Sequence, residues 1–308
     1  MIQIESILRQ AISQCIDMIA RTHFPATSDL FNSPEVTSLK EEIVRTGRKL
    51  WERQYVDGNG GNISVRVSPQ YVLCTPTLCS KADLRIEDLC LVDLNNSKIC
   101  GETSQTSEIL LHLEIYKSVP QAKAVIHCHP PYATAHAIAG VIPQGNLIPE
   151  EEVFVGPVAL SPYETPGTQQ FAETVLPFVR NHNTILLANH GVVCWADTVS
   201  HAEWYVEIVD TYCKTVMLAK QLKPVLNEIP PHKIQALLTR KKKLGLPDAR
   251  FAECNPSEPS DPQESLRSQG TSDTWDKDAT VRRPDAKEVE ALVTSLARQI
   301  TSLMGKVD

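Results

Sequence analysis

Four residues of this chain could do chemistry together: Glu108, the pair His127 and His129 on either side of Cys128, and His190 directly before Gly191. Three imidazoles suit Zn2+ and leave a fourth tetrahedral position open. A carboxylate beside that position can move protons, so the set points to metal-assisted chemistry on a small molecule. Each member alone has an ordinary explanation. A His-x-His pair is commonly hydrogen-bonded or at a surface, and a carboxylate in the first turn of a helix is favoured by the helix dipole. The conjunction of all four carries the reading.

The surrounding elements must bring these side chains together. Residues 124–129 read as a buried strand stopped by Pro130 and Pro131. A strand's period of two then puts both imidazoles on one face and Cys128 on the other. Residues 184–189 read as a second buried strand, with His190 and Gly191 where it ends. Glu108 opens a helix running through Leu113. Two features offer an anion site: the turn Gly58-Asn59-Gly60-Gly61-Asn62, whose backbone N–H groups can approach a phosphate closely, and Thr106 with Ser107 at the helix N-terminus.

Longer motifs carry a resemblance. The runs Gly61-Asn62-Ile63-Ser64-Val65-Arg66, Thr75-Pro76-Thr77, Ile86-Glu87-Asp88-Leu89 and Val92-Asp93-Leu94 come first. Thr106-Ser107-Glu108, His127-Cys128-His129-Pro130, Tyr163 with Pro166-Gly167-Thr168, and Asn189-His190-Gly191 follow in order. Over residues 37–226 the chain resembles the class II aldolase/adducin family, which includes L-fuculose-phosphate and L-rhamnulose-phosphate aldolases, a ribulose-phosphate 4-epimerase and the non-enzymatic adducin. The resemblance implies an α/β domain with a central, mainly antiparallel sheet flanked by helices. It also implies one Zn2+ per subunit on Glu108, His127, His129 and His190, with Glu108 doubling as the general acid/base. Phosphate contacts are implied for Gly61, Asn62, Thr77, Thr106 and Ser107. The family assembles as a fourfold-symmetric homotetramer with active sites at subunit interfaces and a tyrosine lent by the neighbour; Tyr205, Tyr212 and Lys214 on the last core helix could reach across. Leu78 departs from the pattern, since the aldolases carry Gly after Thr-Pro-Thr, and its Cβ would restrict backbone approach.

Composition is compatible with this reading. The 308 residues are 42% hydrophobic and 22% charged, enough for one sizeable core with appendages. A formal charge of -7 argues against a nucleic-acid partner. Nine scattered cysteines without a C-x-x-C pair read as reduced thiols in a cytoplasmic protein. No secretory signal and no membrane-spanning run is expected.

Four segments follow: an N-terminal helical extension at 1–35, the aldolase-type domain at 36–251, a disordered linker at 252–284 and an amphipathic helix at 285–308. The linker has Pro256, Pro259, Pro262 and Pro284 among Ser and acidic residues, too little apolar surface to offset ordering entropy. In the last segment Asp285 and Glu288 form a capping box, and Val289, Leu292, Val293, Leu296, Ile300 and Leu303 form one stripe. A short amphipathic helix on a linker resembles the encapsulation peptides that tether enzymes to bacterial microcompartment shells, although the N-terminal helix could serve instead. Microcompartments of L-fucose and L-rhamnose breakdown contain aldolases of this type, so the expected location is bacterial cytoplasm, inside such a compartment. The basic run Arg240-Lys241-Lys242-Lys243 is expected to be a solvated face near a helix C-terminus.

Overall fold

The computed structural model describes residues 27–251, so the expected linker, the C-terminal amphipathic helix and residues 1–26 lie outside the described residues. Eight strands form one sheet: β1 (Asn62–Arg66), β2 (Tyr71–Cys74), β3 (Cys90–Asp93), β4 (Lys98–Cys100), β5 (Ala124–Cys128), β6 (Ala159–Ser161), β7 (Thr184–Leu187) and β8 (Gly191–Ala196). Their order is β4-β3-β2-β1-β5-β8-β7-β6. Every pairing is antiparallel except the parallel edge pair of β6 and β7, so the sheet is mainly antiparallel as expected.

The period of two sorts the strands' side chains into two cores. Ile63, Val65, Leu73, Ala124, Ile126, Cys128, Val192 and Cys194 join one cluster, while Val72, Cys74, Val125, Val193 and Trp195 join the other. The first cluster is covered by α2 (Pro34–Glu52), α4 (Pro131–Ala139) and α7 (Val199–Leu222); the second by α3 (Ile109–Ser118) and α6 (Gln169–Glu173). Each fully buried Val, Leu or Ile contributes about 1.5–3 kcal/mol by leaving water. Three shorter or later α-helices complete the set among the described residues: α1 (Thr27–Phe31), α5 (Pro149–Phe154) and α8 (Pro231–Lys243).

Local signals fix the helix ends. The Ser33 side chain accepts from the backbone N–H of Val36 ahead of Pro34, and Thr198 accepts from His201 at the start of α7. The expected junction at 35/36 therefore falls inside the first turn of α2. Helix α4 is capped from a distance: Asp210 Oδ1, on α7, accepts from the N–H groups of Tyr132 and Ala133 at 2.8 and 2.9 Å. That bond anchors the helix following His129 to the longest helix of the fold.

Two expectations need correction. Tyr205 and Tyr212 are buried in their own chain, and Tyr212 donates its hydroxyl to the Gln144 carbonyl, so neither can be lent to a neighbour. Tyr163, 56% exposed, is the tyrosine that faces solvent. Within the basic run, Arg240, Lys242 and Lys243 are exposed, but Lys241 is fully buried. Its ammonium lies 3.1 Å from Asp248 and donates to the Val155 carbonyl at 2.8 Å. Helix periodicity turned one of the four basic residues inward, where a buried carboxylate meets it.

Candidate metal centre

Strand β5 delivers the first two imidazoles. His127, fully buried, faces the α3 side of the sheet, and Cys128 joins the opposite core, as the strand period requires. Its Nδ1–H donates to the Val192 carbonyl on β8 at 3.0 Å, which fixes the tautomer and leaves the Nε2 lone pair aimed into the site. His129, just past the strand, is held by its backbone N–H on the Tyr55 carbonyl at 2.8 Å. Its Nε2 lies 3.2 Å from that of His127.

His190 arrives on the three-residue turn between β7 and β8. Asn189 takes a left-handed conformation there (φ 57°), which suits asparagine. Gly191 has no alternative: a Cβ would sit 2.4 Å from the Cys128 carbonyl oxygen and 2.7 Å from His129 Cδ2. Close approach of this hairpin to the end of β5 therefore depends on a glycine. The result brings one ligand atom from each of His127, His129 and His190 within 4.8 Å of one another.

Glu108 closes the constellation from the N-cap of α3. One carboxylate oxygen lies 3.3 Å from His127 Nε2, and the other 3.4 Å from His190 Nε2. Oε1 of Glu108 is buried without a hydrogen-bond partner, an arrangement that is costly unless something fills it. Burial lowers the pKa of all three histidines; for His127 the shift is large, and the neighbouring imidazoles add to it. Neutral imidazoles present lone pairs, as metal ligands must. Two nitrogens on a tetrahedral ion at about 2.0–2.1 Å stand roughly 3.3 Å apart, close to the observed 3.2 Å. The residues present fit a divalent cation.

Of the expected phosphate residues, Asn62 and Thr106 touch Glu108 and Ser107 directly precedes it. Gly61 (φ 69°) immediately precedes β1, where a Cβ would strike Val56 at 2.5 Å and approach the His127 carbonyl at 3.0 Å. Asn62 donates its amide to Glu108 at 2.8 Å. Thr77 and Thr106 lie on adjacent segments: Thr77 N–H donates to Ser104, and Thr106 N–H donates to Thr75, each at 3.0 Å. Ser107 follows, exposed. Leu78 adopts φ 52° with its side chain 81% exposed, so this turn keeps the left-handed backbone of a glycine while the leucine points to solvent.

Sequence reasoning missed Lys81 and His112. Lys81, 2% exposed, donates to the carbonyls of Cys79 at 2.8 Å and Asn59 at 3.3 Å, tying the glycine-rich turn to the 77–81 loop. Burial lowers its pKa, while Cys79 and Glu108 favour its charge. His112 stands four residues after Glu108, the interval that puts both on one helix face; that spacing was a usable signal.

The profile of the Class II Aldolase and Adducin N-terminal domain family matches residues 41–217. The 3-oxo-tetronate 4-phosphate decarboxylase of Haemophilus influenzae is 36% identical over 158 residues, 50% of this chain and 75% of that protein. An L-fuculose phosphate aldolase of Methanococcus maripaludis is 33% identical over 183 residues, 59% of this chain and 98% of its own. Among solved structures, an L-fuculose 1-phosphate aldolase superposes with a TM-score of 0.61 at 26% identity, covering 68% of this chain and 97% of that one.

Proposed function

This chain belongs to the Class II Aldolase and Adducin N-terminal domain family, and from that premise we propose a zinc-dependent aldolase cleaving L-fuculose 1-phosphate or L-rhamnulose 1-phosphate. The products are dihydroxyacetone phosphate and L-lactaldehyde. The observation that carries this reading is Glu108, set between His127 and His190 with one buried oxygen unpartnered beside three lone-pair donors.

His127, His129, His190 and Glu108 would hold a divalent ion, which would supply Lewis acidity to the charge left on the carbonyl side of the broken carbon–carbon bond. Glu108 carries the proton, taking it from the hydroxyl whose carbon becomes the aldehyde and returning one to the carbon left behind. Gly61, Asn62, Thr77, Thr106 and Ser107 hold the phosphate and so fix the ketose against Glu108. Lys81 adds a cation beneath that loop pair.

The family resemblance supports a homotetramer, and the exposed Trp51, Ile138, Trp204 and Leu218 offer apolar surface for subunit contact. Tyr163 is free to reach a neighbouring site. We assign residues 286–308 to microcompartment targeting; their deletion is expected to leave turnover intact and abolish shell association, and unchanged localisation would count against this role. Among the described residues, no helix is long and apolar enough to cross a membrane.

A second reading is favoured by the decarboxylase name of the relative at 36% identity. Loss of CO2 from a 3-oxo acid phosphate leaves the same enolate-type charge, so the site would serve either bond cleavage. Incubating the zinc-loaded protein with each substrate separates them. Dihydroxyacetone phosphate from either deoxyketose phosphate supports the aldolase. CO2 release without cleavage of either deoxyketose phosphate overturns it in favour of the decarboxylase. Epimerisation of a pentulose phosphate without cleavage would instead identify an epimerase.

A further inference from the structure

Glu108, His112 and Tyr116 recur every four residues at the start and along one face of α3, and Asn62 and Ser64 alternate along one face of β1. The two rows interlock. Asn62 Nδ2 lies 2.8 Å from Glu108 Oε2, and Asn62 Oδ1 lies 2.5 Å from His112 Nε2. His112 Nδ1 lies 2.7 Å from Ser64 Oγ, which lies 2.9 Å from the Tyr116 hydroxyl. All four supporting side chains are buried: Ser64 and His112 fully, Tyr116 and Asn62 to within 1% and 3%.

The direction of the protons follows from the Asn62 amide, whose nitrogen donates to Glu108 Oε2 and whose oxygen, on the other side, can only accept. His112 then donates from Nε2, and burial, which pushes its pKa down to about 3, keeps the ring neutral with Nδ1 bare. Ser64 donates to that bare nitrogen. Its oxygen accepts from Tyr116, whose other acceptor, the Lys123 carbonyl, is farther away at 3.5 Å.

We infer that Tyr116, Ser64 and His112 form a one-way hydrogen-bond chain that locks the Asn62 amide, so that only its N–H groups face Glu108 and the space beside it. Without the lock, an amide can rotate by half a turn and present oxygen, which would repel both Glu108 and an anionic substrate. These three are positioning residues: none touches the metal ligands, and they act through Asn62. The inference rests on the assignment of Glu108 as the proton carrier in the proposed reaction, and it adds three residues to that machinery.

The test uses the full-length, zinc-loaded protein. His112→Leu removes the donor to Asn62 and is expected to lower kcat/KM by 10–100-fold, the usual cost of losing an outer-shell partner. His112→Gln places an amide N–H the same number of bonds from Cβ and is expected to restore activity to within about threefold. Ser64→Ala and Tyr116→Phe, milder changes that keep the fold if the leucine variant does not, give intermediate and small losses in that order. Equal losses in the Leu and Gln variants, or none in Ser64→Ala, overturn the inference. Should the wild type cleave no ketose phosphate, the functional proposal fails while the chain is still tested: nitrogen NMR of histidine-labelled protein reads the His112 tautomer directly. Protonation at Nε2 upholds the chain, and protonation at Nδ1 refutes it.

Discussion

Two regions of this molecule bury charge, and they dispose of it in opposite ways. At the end of β5, Glu108 and three neutral imidazoles converge with lone pairs facing one another, leaving Glu108 Oε1 without a partner. Beneath α5 and α8, Lys241, Asp248, Arg250 and Glu152 neutralise one another. Lys241 lies 3.1 Å from Asp248, and Arg250 lies 2.7 Å from both Asp248 and Glu152. The first cluster turns acceptor atoms of Glu108 and His127 towards each other, whereas the second supplies its own cations. A buried polar set that fails to satisfy itself marks where a ligand belongs, and a set that closes on itself marks architecture.

Substitutions in the second cluster probe that distinction most forcefully. Lys241→Met strips Asp248 of the fully buried one of its two cations and is expected to destabilise the fold by about 3–5 kcal/mol, read by denaturant unfolding. Zinc affinity of the folded fraction should not change. A loss of zinc affinity without loss of stability would break the comparison.

Glu151, 2% exposed beside this network, gives a smaller and pH-dependent effect. Burial, reinforced by Glu152, pushes its pKa up to about 9, so the folded chain retains a proton that the unfolded chain releases near 4.5. The stabilisation from that proton is complete below about pH 4.5 and is lost as pH rises towards 9, at up to about 1.4 kcal/mol per pH unit. Glu151→Gln should flatten this slope in unfolding curves recorded between those limits. An unchanged slope would mean that Glu151 is ionised in the fold.

Much of the first region was legible in the sequence. His127 and Cys128 face opposite sides of β5 as strand periodicity requires, because that rule is local, whereas the expected strand 184–189 stops at Leu187 and His190 lies on the turn before β8. The interior fate of Lys241 was not legible, since a basic run looks solvated until its partner Asp248 is placed. Tyr205 and Tyr212 were legible as core residues of their own subunit, since they share the helical spacing of Ala202, Val206, Val209, Cys213 and Val216 on the buried face of α7. His112 and Ser64 were within reach: each repeats the interval of a residue already singled out, Glu108 plus four and Asn62 plus two. What hid them was the bland reading of a helix interior.

The smallest expected effect concerns the rim of the site. Leu78 holds φ 52°, a conformation that costs a residue with a Cβ about 1–2 kcal/mol and a glycine little. Part of that gain is offset by glycine's freedom in the unfolded chain, so Leu78→Gly should stabilise by about 0.5–1 kcal/mol. Turnover should be kept, because the leucine side chain points to solvent. A destabilised variant would show that Leu78 makes contacts, with another subunit or with substrate, that its exposure conceals.

The central claim is that the unsatisfied cluster is a cation site, and calorimetric titration of chelator-stripped protein with Zn2+ tests it most directly. One ion per chain is predicted for the wild type and for Lys241→Met, with binding abolished in His127→Ala. Failure of the wild type to take up zinc, or undiminished uptake by His127→Ala, would contradict the account.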